Sequence, residues 1–296
     1  MGSTGSSSKV KSLISALSNY DPRFGQDVIK AGEKFHREFP EFPEITRVYV
    51  TPVEGVASMN GLGMLNLNPK YLNRGYDYET SDIESKDEWL AGDPTYEKSV
   101  VSHELGHNLD IQFSRFLSER TPETYNPQTI VTDAMADALS TVTGKKVNLN
   151  DTFSFPTSDT KATVFTIDGT DYSYSSFLGT DNGRFSDIFV PLAIKNIQRD
   201  WKQLGFARQP TESELLGSLS GYAYWSKYNQ SDVYLTEVFA ECYADHASHG
   251  KNANILSREV MRLTKSAYSQ LVKRKKNTVH EFMNKLMDAS FGNGGT

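Results

Sequence analysis

Apolar residues recur along the chain with two different periods, and the changes of period mark out its elements. Residues 10–42 carry apolar side chains at helical spacing, Leu13, Ile14 and Leu17 and then Val28, Ile29 and Phe35, with a break at Asp21 and Pro22. The run FPEFPE at 39–44 ends this stretch, because each proline confines itself and its predecessor to extended backbone. Residues 45–51, ITRVYVT, are β-branched and aromatic and predict a strand, and GLGMLNLN at 61–68 predicts a second. Residues 73–94 are rich in Asp, Glu, Ser, Gly and Tyr and read as an exposed loop. A helix is expected from about Asp93, Pro94 and Thr95, with Val100, Val101, Leu105, Leu109 and Phe113 as its buried stripe. Another covers 127–143, with Ile130, Met135, Ala136, Leu139 and Val142 facing inward and Gly144 as its C-terminal cap. The period then falls to two: TVFTIDGTDYSYSSF at 163–177 is a hairpin signal, since Asp168 and Gly169 suit a two-residue primed turn. A helix follows at about 186–204, Thr211 and Glu214 have capping-box spacing, and the last quarter is helical from Ser231 or Asp232. No repeat and no sustained heptad pattern is present.

Composition adds exclusions. The 296 residues include 31 basic and 37 acidic side chains, a net charge of −6, which argues against a nucleic-acid partner. No window reaches the roughly 18 consecutive apolar residues of a membrane span. The single cysteine, Cys242, forms no internal disulfide and is expected to be buried. Residues 1–9 lack the apolar core of a signal peptide and read as a flexible leader. Residues 10–296 then fit one domain, in a location the sequence leaves open between cytoplasm, virion and export by another route. Nothing in the sequence sets the oligomeric state.

The sharpest chemistry is His103-Glu104-Leu105-Gly106-His107. Positions i and i+4 of a helix share a face, so two imidazoles there can meet one Zn²⁺, while Glu104 is angled to reach a water without being a ligand. That arrangement suits hydrolysis by a zinc-activated water with a carboxylate base. The pattern arises by chance in about 0.7% of chains of this composition. A hydrolytic zinc needs a third protein ligand, and HExxHxxGxxH is excluded because positions 110 and 113 are Asp and Phe. The candidates are carboxylates on a later helix. Glu237, Glu241 and Asp245 lie along one face beside Val238, Phe239 and Cys242, with Glu237 as ligand and Glu241 behind it as the functional reading. Asp133 and Asp137 form a weaker alternative pair.

SVVSHELGHNLD at 99–110 followed by TEVFAE at 236–241 resembles the lethal-factor-like zincin metallopeptidases, a family known from a toxin protease and from peptidase domains of phage structural proteins. The resemblance implies an α+β zincin-like fold, in which a small twisted sheet lies beside the HExxH helix and a C-terminal helical lobe carries the third ligand. It implies His103, His107 and Glu237 as zinc ligands, Glu104 as the base, and a supporting role for Asp110. It also implies GLGMLNLN as the edge against which a protein or peptide substrate lies extended, and an oxyanion-stabilising tyrosine shortly before Glu237. Tyr228 is preferred for that role and Tyr222 is the second candidate. Glu237 follows His107 by 130 positions, longer than the family pattern, so 145–225 reads as an insertion, either a wall of the cleft or a passive decoration. The expected activity is that of a zinc endopeptidase. Two alternatives stand beside it: a zinc amidase acting on another amide such as a peptidoglycan cross-link, and a non-catalytic virion or toxin module. His246 and His249 read as helix-end histidines rather than a second metal site, and Lys273 to Lys276 as a solvated basic cluster.

Overall fold

The computed structural model describes residues 12–42, 44–60, 62–77, 96–118, 136–154, 160–177, 185–229 and 234–291. It is an α+β protein, mostly helical, with two three-stranded sheets. The expected leader at 1–9 and the loop from position 78 onward lie outside these residues.

Helix α1, Pro22–Glu38, begins where the proline break was expected: the Asp21 side chain accepts the Arg23 amide, and Pro22 occupies the first turn, where no amide donor is needed. Its inward stripe of Phe24, Val28, Ala31 and Phe35 is buried, and Phe35 and Phe39 meet Tyr243 from the far end of the chain. Burial of each such phenylalanine contributes roughly 1.5–3 kcal/mol. This stripe anchors the N-terminal helix to the helix that carries Glu237.

Strands β1, Arg47–Val50, β2, Ala57–Met59, and β3, Met64–Leu67, form the first sheet in the order β1-β3-β2. β3 runs parallel to β1 and antiparallel to β2. GLGMLNLN therefore supplies the central strand, not the edge that the resemblance implied. The edges are β1 and β2, and the three residues of β2 are too few to show a period. Leu65 and Leu67 of β3 are buried, as expected of a strand paired on both sides.

Helix α2, Ser102–Ser118, carries the HExxH residues and is preceded by a wide π-helical turn at Glu97–Val101. Residues 136–143 form α3, and Gly144 closes it with φ of +65° and donates its backbone N–H to the Ser140 carbonyl. The second sheet is an antiparallel meander of β4, Val147–Ser154, β5, Thr160–Ile167, and β6, Thr170–Phe177. Asp168 and Gly169 turn the β5-β6 hairpin with φ of +52° and +74°, as that dipeptide predicts. β4 was not foreseen.

Helix α4, Ser186–Arg199, follows, and then α5, Glu212–Leu219, opened by the Thr211 and Glu214 capping box. α6 spans Gly221–Asn229, α7 Tyr234–His249 and α8 Ile255–Phe291. α4 is no surface decoration. Its Ile188, Phe189, Val190, Ala193 and Ile197 are buried, and it packs against α7 and α8. The segment between the two motifs thus contributes to the core around the site. Among the described residues, no helix is long and apolar enough to cross a membrane.

Candidate metal centre

The two motif helices meet at a point of unusual closeness. Gly106, between the two histidines, lies against Ala240 of α7: a Cβ placed on Gly106 would stand 2.5 Å from the Ala240 Cα. Only a residue without a side chain permits that approach, which sets the spacing between the histidines of α2 and the carboxylates of α7.

Across this contact three ligand atoms converge. His103 Nε2 and His107 Nε2 are 3.0 Å apart, and Glu237 Oε2 lies 3.2 Å from the first and 3.4 Å from the second. A tetrahedral ion with bonds of about 2.0–2.1 Å holds its ligand atoms roughly 3.3 Å apart, so the triangle is of the size such an ion requires. Two imidazole nitrogens and a carboxylate oxygen also form the donor set of a hydrolytic metal site, with one position left open. Among the described residues, His103, His107 and Glu237 are the group that could hold a metal ion. Of the alternatives, Asp137 is exposed on α3 and Asp133 lies outside the described residues.

Behind His103, Glu241 is fully buried and its Oε1 lies 2.6 Å from His103 Nδ1. The ring N–H donates to that carboxylate, which leaves Nε2 facing the triangle. Burial opposes a charge on His103, but the Glu237 and Glu241 carboxylates outweigh it and raise the imidazole pKa well above its ordinary value. Burial likewise opposes charge on Glu237, yet the two histidines hold its pKa well below the carboxylate range. Glu104, also buried, behaves differently. Burial raises its pKa, only partly offset by His107 and His103, and it accepts the Met59 backbone N–H from the edge strand β2.

The tyrosines separate clearly. Tyr222 packs edge-on against His103 with ring centroids 5.8 Å apart, and Trp225 stacks on Tyr222 at 5.8 Å. Tyr228, the preferred candidate from the sequence, is 59% exposed, bonds Ser213 Oγ through its hydroxyl at 2.8 Å and packs against Tyr224. Six residues of helix rotate a side chain by about 120° from the starting face, so both tyrosines cannot serve one site from α6. A helix start at Ser231 or Asp232 puts Tyr228 at the mouth of the Glu237 helix, whereas in the structure Tyr228 sits on α6.

Asp110 is buried one turn beyond His107 and reaches α4: it accepts the Ser186 amide at 2.9 Å and the Ser186 hydroxyl at 2.7 Å. Asp245 binds His249 and the Asn254 amide, and His246 sits beside Glu38 and Lys265, so these histidines serve helix-end contacts. Met59, Ser186 and the Gly106 contact with Ala240 were not assigned from sequence. The glycine inside HELGH was the one visible signal, since glycine in a helix interior marks a close approach.

No known protein family matches the chain, and neither does a curated protein or a solved structure.

Proposed function

We propose that the protein is a zinc-dependent endopeptidase of the zincin type, in line with the resemblance carried by HELGH and TEVFAE. The observation that supports this best is the convergence of His103 Nε2, His107 Nε2 and Glu237 Oε2 at 3.0–3.4 Å beside the buried Glu104. His103, His107 and Glu237 would hold the ion. Zinc bound there would polarise a scissile carbonyl and acidify a water.

The chain's own residues account for the rest of the reaction. Glu104 takes a proton from the attacking water and delivers it to the leaving amine. Its bond to the Met59 amide keeps the carboxylate aimed while leaving β2 as the outer strand. A substrate laid in extended form along β2 would add to the sheet through its main chain. Tyr222 stands beside His103 and is assigned the stabilisation of the developing oxyanion, in place of Tyr228.

Metal analysis of the purified protein tests this reading, together with digestion of a peptide library. Zinc at about one ion per chain, loss of cleavage on chelation and its return on adding zinc are expected, and Glu237→Ala should bind zinc poorly. A wild-type protein that takes up no zinc would contradict the proposal.

A further inference from the structure

The third ligand sits in the least secured part of its helix. Glu237 belongs to the first turn of α7, where the backbone amides have no partners within the helix and the turn frays unless something outside holds it. Its neighbour Thr236 has such a contact: Thr236 Oγ1 lies 3.3 Å from the hydroxyl of Ser186. Ser186 is fully buried and is the first residue of α4.

Ser186 is itself held from a third direction. The residue before it, Phe185, offers no side-chain cap to α4, and the carboxylate of Asp110 supplies one from α2 by accepting both the Ser186 amide and its hydroxyl. Because the Ser186 proton goes to that carboxylate, its oxygen is left to accept the proton of Thr236. The bonds therefore run in one direction, from Thr236 to Ser186 to Asp110. At one end of this chain is the residue next to Glu237, and at the other is an acid one turn past His107. The ligands from the two motif helices are tied to each other through a helix that neither motif contains.

We infer that Ser186 is a positioning residue for the metal centre, fixing the first turn of α7 so that Glu237 stands ready opposite His103 and His107. The inference rests on the metallopeptidase reading. It explains why α4 is built into the core: its N-terminus is the joint between the two ligand helices. Ser186→Ala removes the hydroxyl with its bonds to Asp110 and Thr236 but keeps the backbone N–H bond to Asp110, so the cap of α4 and the fold persist while the link to Thr236 is lost.

The test is a zinc titration of the full chain by competition with a chromogenic chelator, with cobalt substituted in parallel to report ligand geometry in its visible spectrum. Ser186→Ala should weaken zinc binding about tenfold, at the low end of what outer partners of metal ligands contribute. Thr236→Val, of the same shape, should do the same from the other side. The double variant should bind zinc no more weakly than Ser186→Ala, since both substitutions break the same Thr236–Ser186 bond, and Ser186→Thr should recover wild-type affinity and cobalt spectrum. A merely structural serine would lower the melting temperature of the metal-free protein and leave zinc affinity within twofold of wild type. That result, or additive losses in the double variant, overturns the inference alone. A wild-type chain that binds no zinc overturns it together with the proposed function.

Discussion

Each side chain at the centre has a job set by what it touches. Glu241 is fully buried and has the His103 ring as a partner at 2.6 Å, so it orients that ring and sets a negative charge behind it that favours a cation at Nε2. Glu241→Gln keeps a hydrogen-bond acceptor but removes the charge, and zinc affinity is expected to fall about 10-fold, read by chelator competition; unchanged affinity would show that Glu241 is a packing residue. The two tyrosines give a sharper contrast. Tyr222→Phe should lower kcat by about 10²-fold with little change in KM, because the lost hydroxyl acts on the transition state. Tyr228→Phe should leave both constants near wild type. The reverse pattern in steady-state kinetics would restore the assignment made from the sequence.

At the scale of elements, the contact of α2 with α7 decides the geometry. Gly106→Ala would gain up to about 1 kcal/mol in helix propensity. It would also force a methyl group against the Ala240 backbone at 2.5 Å, and overpacking of that kind costs about 1–3 kcal/mol. The clash outweighs the gain, so the variant should melt lower and bind zinc more weakly; a higher melting temperature would contradict the close-packed crossing. The same elements show what a sequence discloses. HELGH and TEVFAE carry local helical signals and metal-ligand spacing, so the grouping of His103, His107 and Glu237 was legible, as was the Asp168 and Gly169 hairpin turn. β2 was not, because three residues cannot show a period. The central place of β3 was not, because strand order depends on pairing partners distant in sequence. Tyr228 was preferred over Tyr222 for want of a helix boundary, and a one-helix error turns a side chain to another face.

Across the whole molecule, the ends of the chain are joined by packing and by charge. Phe35 and Phe39 of α1 meet Tyr243 of α7, and Glu38 at the end of α1 pairs with Lys265 of α8 at 2.8 Å and lies 3.4 Å from His246. The Lys265 contact is an ion pair without the alignment of a hydrogen bond. Burial tends to raise the Glu38 pKa, but His246 and Lys265 outweigh it and bring it down from the usual 4.5 to about 2. A carboxylate with a depressed pKa in the folded state stabilises the fold above its unfolded value, and that contribution is lost as pH falls from about 4.5 to about 2. Glu38→Gln should therefore lower the melting temperature at neutral pH by about 2–4 °C, and the gap from wild type should close as the pH is lowered through that window. A gap that stays constant with pH would show that the cluster contributes no charge-dependent stability. The 145–225 segment also belongs to this scale: its sequence reads as an insertion, yet its α4 lies in the core against α7 and α8 and reaches α2 through Ser186 and Asp110.

The central claim is that His103, His107 and Glu237 gather a zinc ion for Glu104 to work beside. It is tested most directly by peptide-library cleavage with Glu104→Gln, alongside wild type, after both are loaded with zinc to the same measured content. The prediction is one zinc per chain in each protein and cleavage by wild type that falls by about 10²–10⁴-fold in the variant. Cleavage by Glu104→Gln at the wild-type rate would contradict the account.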